Sequence, residues 1–305
     1  MINLSTGAFY ERSTRQIGSL RAQAETLQQQ IGTGERFERS SDDPVAAARL
    51  RMLARTERIT SVDTRNSELA EADLALTDQT LGSIADIVMR VRELAVQATV
   101  STLNDDQRAA IGVEVASLRE NLVLLGNSRN ITGHALLGGQ AAGKAYIDNG
   151  SGNGVQFVGT AAVTPLEIGE GQSVIPGMTG PEVFQFDAAS GPTDLFAVLD
   201  GLAIALAGGG QAAADASSAA LADLDRGLEK VTTAQTVVGA RLNWIDLMSE
   251  RREINTERIA DERMSVGGAD IAVTMSRLQE TLTVLEATQA SFVRLANLSL
   301  FSMLR

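Results

Sequence analysis

From Pro44 to about Ala98 the chain runs through helix-compatible residues without an internal proline, and this run limits the fold more than any other feature. At a rise of 1.5 Å per residue it describes a helix of roughly 80 Å. A compact domain has little use for such a length, so a bundle or coiled coil is implied. The start of the helix is readable in "SSDDP". Pro44 supplies a preset φ where its missing N–H costs nothing, and the Asp43 carboxylate can accept from the orphan N–H groups of the first turn.

Four further helical runs have the same character. Ile17, Leu20, Ala24, Leu27 and Ile31 fall at 3,4,3,4 spacing, and Gly32 and Gly34 end that helix. Asn104 and Gln107 form a capping pair ahead of Ile111, Val115, Leu118, Leu122 and Leu125, a third helix closed by Gly126. After "DLFAVLDGLAIALAGGG", where the glycines break a short helix, Leu221, Leu224, Leu228 and Val231 open a long helical region. It passes through the charged block "SERREINTERIADERMS", read as a solvated face, to a break at "VGGAD". Ile271, Met275, Leu278, Leu282 and Leu285 mark the final seam.

The middle is different. From about Leu137 to Phe186 the chain is rich in glycine and holds three of its five prolines. "AYIDNGSGNGVQFVG" predicts two strands about a glycine-rich turn, and "EVFQF" predicts another strand. The fold class expected is therefore mainly α. A long helical coiled-coil or bundle rod comes from the N- and C-terminal regions, with a small β-rich insertion between them.

Composition narrows the chemistry. The chain is 44% hydrophobic but only 4% aromatic, a core of Leu, Ile, Val, Ala and Met that suits helix seams. A net charge of −12 argues against nucleic acid and against an anionic membrane surface, both of which need a basic face. Without cysteine there is no disulfide, thiolate nucleophile or Cys-based zinc site. No window reaches the roughly 18 consecutive apolar residues of a membrane span. "MINLSTGAFYERSTRQIG" lacks the basic start and apolar core of a cleaved signal peptide. His134 is the only histidine and is read as a surface residue, and "GSGNGVQFVG" lacks the Lys-Ser/Thr pair of a phosphate loop. "NIT" at Asn130 and "NLS" at Asn3 and Asn297 match a glycosylation triplet, a short pattern that carries little weight by itself. No catalytic site, metal or cofactor is expected.

The last residues carry a different signal. Phe292, Val293, Leu295, Leu298, Leu300, Phe301, Met303 and Leu304 lie around most of a helix circumference, more than one partner helix can cover. Each large side chain left in water forgoes about 1.5 to 3 kcal/mol. One reading is a terminal helix buried in its own bundle. The other is a helix that completes its burial only against further subunits.

"IGTGERFERSSDDPVAAARL" resembles the N-terminal signature of the bacterial flagellin superfamily. Its "SDDP" is closer to the hook-filament junction branch than to filament flagellins, which usually place alanine and glycine after the two acids. "VGARLN" at 238–243, "GADIAVTMSRLQ" at 268–279, "GPEVFQF" at 180–186 and "LANLSLFSMLR" at 295–305 are similar to that branch as well, and the Pro-Gln step near the end of flagellins is missing. The resemblance covers residues 1–137 and 193–305 well and the middle loosely. Leu137 stands where the family often has an aromatic.

The resemblance implies a structural subunit, not an enzyme, at the junction of hook and filament; the alternative is a short filament flagellin. It implies a homo-oligomeric ring beside the proximal hook-associated junction protein and flagellin. It also implies an export chaperone and the flagellar secretion apparatus, leading to a location outside the cell. On the family pattern, 1–40 with 268–305 make a terminal coiled-coil layer, 41–137 with 193–267 the long-helix rod, and 138–192 the insertion. Subunit contacts are expected at Ile17, Leu20, Leu27, Ile31, Asp42, Asp43, Leu278, Leu282, Leu285, Phe292, Leu295, Leu298, Leu300, Phe301 and Leu304.

Overall fold

The structure is a computed structural model. It describes the backbone of residues 3–37, 39–150, 154–169 and 171–303, and the side chains within 8–37, 39–150, 154–169 and 171–295. The chain is mainly helical, with small antiparallel strand pairs in its middle. Three helices come first: α1 (Asn3–Thr33), α2 (Pro44–Ala98) and α3 (Asp105–Gly126). The middle holds β1 (Tyr146–Asp148), β2 (Val155–Phe157), β3 (Leu166–Gly169), β4 (Gln172–Val174), a short α4 (Gly180–Phe184), β5 (Gln185–Ala188) and β6 (Gly191–Asp194). α5 (Leu195–Gly208), α6 (Gly210–Gly267) and α7 (Ile271–Met303) complete it.

The helix starts follow their local grammar. Pro44 is the first residue of α2, and the Ala46 N–H donates to Asp43 Oδ1 at 2.9 Å. Asp42 turns the other way, its Oδ2 accepting from the Arg39 N–H at 3.0 Å. The two adjacent acids thus serve opposite sides of one turn, one closing the loop and one opening the helix. At α3 the reciprocal capping box is complete: Gln107 N–H donates to Asn104 Oδ1 at 2.8 Å, and Asn104 N–H to Gln107 Oε1 at 3.1 Å. Asp194 caps α5 through the Ala197 N–H at 2.8 Å.

The chain divides into two compact units, Met1–Arg58 with Ile254–Arg305, and Ile59–Glu253. α2 and α6 contribute to both.

In the Ile59–Glu253 unit the strands form three separate two-stranded hairpins, β1–β2, β3–β4 and β5–β6. Helical side chains hold the β3–β4 hairpin and the loop after it by their backbone. Arg252 donates to the Ile168 carbonyl at 2.6 Å, Asn66 to the Glu167 carbonyl at 2.8 Å, and Arg241 to the Gly177 carbonyl at 2.6 Å. "EVFQF" is not one strand. Glu182, Val183 and Phe184 are helical in α4, and only Gln185 and Phe186 enter β5. The reason is local: Pro181 sits in the first turn and the Thr179 N–H donates to Glu182 Oε2 at 2.7 Å, which is helix-start chemistry.

Phe184 and Phe196 stack at 4.6 Å between centroids, and Tyr146 meets Phe196 at 4.9 Å, Phe157 at 5.3 Å and Phe184 at 5.4 Å. Gly180 is needed there, because a Cβ would collide with the Tyr146 ring. Beside this cluster the Arg119 side chain, 5% exposed, forks onto Asp148 at 2.9 and 2.8 Å and approaches Asp200 at 3.4 Å. The guanidinium holds the Asp148 carboxyl below the usual carboxylate range, while burial pushes Asp194 above it. The continuous hydrophobic core of the described residues runs from Ala70 to Met248 and lies within this unit.

In the other unit α1 packs along α7. Gly34, at φ +72°, ends α1, and the strand-like stretch after it is tied to the α6–α7 corner. Arg36 N–H donates to the Gly267 carbonyl at 2.7 Å and Ala269 N–H to the Gly34 carbonyl at 2.8 Å.

Candidate assembly interface

The α1–α7 pair contains most of the residues that the seam pattern singles out. On α1 the half-buried and buried positions Tyr10, Ser13, Ile17, Leu20, Ala24, Leu27 and Ile31 follow a 3,4 alternation, with Gln30 half-buried beside Ile31. Ile17, Leu20, Leu27 and Ile31 therefore face inward, with Leu27 the most buried of the four. Tyr10 closes the far end edge-on against Phe292 of α7, with centroids 5.3 Å apart.

On α7 the inward positions are Thr274, Leu278, Thr281, Leu285, Thr288 and Phe292. This corrects the seam expected from the apolar pattern. Leu278 and Leu285 belong to it, while Ile271, Met275 and Leu282 stand exposed beside it. Threonine can fill the seam because each hydroxyl donates back to the carbonyl four residues earlier. Thr274 donates to Asp270 at 2.6 Å, Thr281 to Arg277 at 2.7 Å and Thr288 to Val284 at 2.7 Å. The hydroxyl is thereby satisfied within its own helix and needs no partner across the seam.

The apolar residues displaced from the seam form two shoulders. Ile271, Met275, Leu282 and Val293 share one flank of α7, and Val273, Val284 and Leu295 share the other. Leu282 is 41% exposed and Leu295 47%. A single partner helix covers one stripe, so these flanks remain open after α1 has docked. Leu298, Leu300, Phe301 and Leu304 lie outside the residues whose side chains are described. Among the described side chains of this unit, only Leu27 and Leu53 are large and buried.

Charge follows the same division. The unit of the two chain ends carries 14 basic and 13 acidic residues, leaving 12 basic and 25 acidic in the Ile59–Glu253 unit. Copies can pack through the near-neutral unit without the repulsion that the acidic one brings. Asp42 and Asp43 are engaged in their own turn, Asp43 also pairing with Arg36 at 3.4 Å.

The polar residues considered for other chemistry have ordinary roles. His134 is exposed. The Asn130 side chain is occupied, donating to Asp73 at 3.1 Å and accepting from the His134 and Thr132 N–H groups at 3.0 and 3.1 Å. β1 and β2, on either side of the glycine-rich stretch, pair antiparallel. Among the described residues, no group of three or more His, Cys, Asp or Glu side chains could hold a metal ion, and no helix is long and apolar enough to cross a membrane. Sequence reasoning missed the threonine seam, whose residues look polar, and placed Ile271, Met275 and Leu282 in the seam when they stand on an open flank.

Comparison with known proteins places this geometry. The bacterial flagellin N-terminal helical region matches residues 4–142. The chain is 26% identical to flagellar hook-associated protein 3 of Escherichia coli K12 over 322 residues, 99% of each chain. It is 23% identical to the protein of the same name from Salmonella typhimurium LT2, over all of both chains. A putative flagellar hook-associated protein from Vibrio parahaemolyticus shares the fold, with a TM-score of 0.68 and 22% identity over 74% of this chain and 100% of that one.

Proposed function

We infer that this chain, a member of the flagellin superfamily, is a structural subunit of the bacterial flagellum that assembles where hook gives way to filament. The observation that carries this reading is end-to-end similarity to flagellar hook-associated protein 3, with hardly a residue of either chain unmatched. The family is a structural one, and we assign the chain no catalytic role.

The physical features give the reading a mechanism. A two-helix seam half filled by threonine holds α1 and α7 together only modestly, and the apolar flanks of α7 remain to be covered. Burial of those flanks against neighbouring copies would drive a ring to form and order its ends. We propose that residues 1–40 with 268–305 form its inner coiled-coil layer, with the remaining helices and then the 138–192 hairpins further out. The contacts we assign are Leu282, Leu295 and the residues beyond Phe292, with Ile17, Leu20, Leu27, Ile31, Leu278 and Leu285 shaping the paired helices beneath. The ring's neighbours would be the proximal hook-associated protein on one side and flagellin on the other. Export by the flagellar apparatus with a chaperone suits a chain without cysteine, which carries no disulfide to obstruct threading.

Antibody labelling of isolated flagella tests the reading. A single band between hook and filament is the expected result; label along the filament would show a filament flagellin instead, and none on the flagellum would defeat both.

A further inference from the structure

The unit of the two chain ends holds a groove of about 530 Å³ between α2 and α6, distinct from the α7 flanks. Ala47, Leu50 and Ala54 of α2 and Ala260 and Met264 of α6 form its apolar floor, and Phe37 borders it. Met264 is 72% exposed, so the floor is open to water. Three arginines and two glutamates line the groove as well. Arg263 is held by Glu57 at 3.2 Å, whereas Arg39, Arg51 and Glu35 form no ion pair among the described residues, which leaves the groove one positive charge in surplus. The groove therefore offers apolar surface with unspent positive charge, in a chain whose net charge is −12. It suits a helix face that is apolar and acidic.

The chain carries such a face on its other unit. Among the described helical residues of Ile59–Glu253, Val113 at 68% and Leu124 at 70% are the most exposed large apolar side chains. They lie on one face of α3 with Ser117 and Glu120 between them, opposite the side that packs on α5. Glu120 forms no ion pair among the described residues, while nearby Glu114 is taken by Arg90 at 2.7 Å. The lengths match too. Val113 to Leu124 spans about 16 Å of helix and the α2 wall from Ala47 to Glu57 about 15 Å.

Resting on the reading of this chain as a self-assembling flagellar subunit, we propose that the α2–α6 groove of one copy receives the outer face of α3 from a second copy. Val113 and Leu124 lie on the apolar floor, and Glu120 faces Arg51. The two surfaces differ, so the contact is head-to-tail and each copy keeps a free groove or a free α3 face for the next. Such contacts close into rings or continue as helices.

The absence of native cysteine makes the test clean. Cells would produce M264C and S117C variants together, and their isolated flagella would be treated with a short bismaleimide. Covalent dimer is expected from the mixture and not from either variant alone. E120R is expected to weaken self-association about tenfold, and R51E/E120R to restore it, as for coupled charges across an interface. The proposal is overturned if junctions containing both variants yield no dimer, if M264C alone dimerises, or if position 264 couples to a different polypeptide. Failure of R51E/E120R to recover, with the variant still folded by circular dichroism, would also overturn it. If the protein were absent from the hook-filament junction altogether, the functional reading would fall first and this contact with it.

Discussion

The unit built from Ile59–Glu253 and the unit built from the two chain ends use similar helices to opposite effect. The first buries Phe184, Phe196, Leu74, Leu81, Ile84 and Leu122 almost completely and carries all the excess negative charge. The second is close to neutral, and its seam is largely half-buried. A body that buries a continuous core of its own and repels its like is suited to folding alone, with the outer face of α3 left as its proposed contact. One that does neither is suited to being finished by neighbours. Folding and assembly are therefore divided along one chain, the first concentrated in the middle of the sequence and the second at its ends.

Four substitutions sharpen or break this contrast. Phe196→Ala removes a ring from the aromatic cluster and should destabilise the Ile59–Glu253 unit by about 3–5 kcal/mol, measured by urea unfolding. A loss below about 1 kcal/mol would mean that this unit is not self-sufficient. Asp148→Asn strips the buried Arg119 of its forked partner and should cost about 2–3 kcal/mol near neutral pH. The sign with pH follows from the depressed Asp148 carboxyl, whose stabilisation is present above the unfolded-state carboxylate range and is lost as pH falls through its lowered value. Asp194, raised by burial, works in the other direction. The variant should therefore lose part of the wild type's acid-limb steepness in a pH series of unfolding midpoints.

Thr281→Leu enlarges a seam position on α7 and should strengthen the α1–α7 pair by about 1 kcal/mol, seen as raised helicity of the ends in dilute protein. Leu295→Ser should change the stability of the isolated chain by no more than about 0.5 kcal/mol while sharply reducing assembly in sedimentation. If it destabilised the monomer strongly, that flank of α7 would be buried within the chain rather than between chains.

Local signals explain what the sequence revealed. Asp43 with Pro44, Asn104 with Gln107, and the glycines at 208–210 act within a turn or two of themselves, so the boundaries of α2, α3 and α5 were legible. α1 was legible because its seam residues are apolar at strict spacing. α7 was misread because threonine, polar by composition, is satisfied within its own helix and behaves as a small apolar residue. α4 was hidden because "EVFQF" alternates like a strand, and the Glu182 carboxylate accepting from the Thr179 N–H, with Pro181 in the first turn, outweighs alternation over so short a stretch. The separation into three hairpins, the Arg119 fork and the α2–α6 groove depend on residues far apart in the chain. No window of sequence displays them.

The central claim is that the chain ends complete their burial only on assembly. Hydrogen exchange on dilute protein and on isolated hook-filament junctions, followed segment by segment, tests it most directly. The account predicts that amides of α1 and α7 exchange far faster than those of α2 at 70–98 and of α5 in the dilute chain, and become as slow as them in the junction. Equal protection of all four segments in the dilute protein would contradict it.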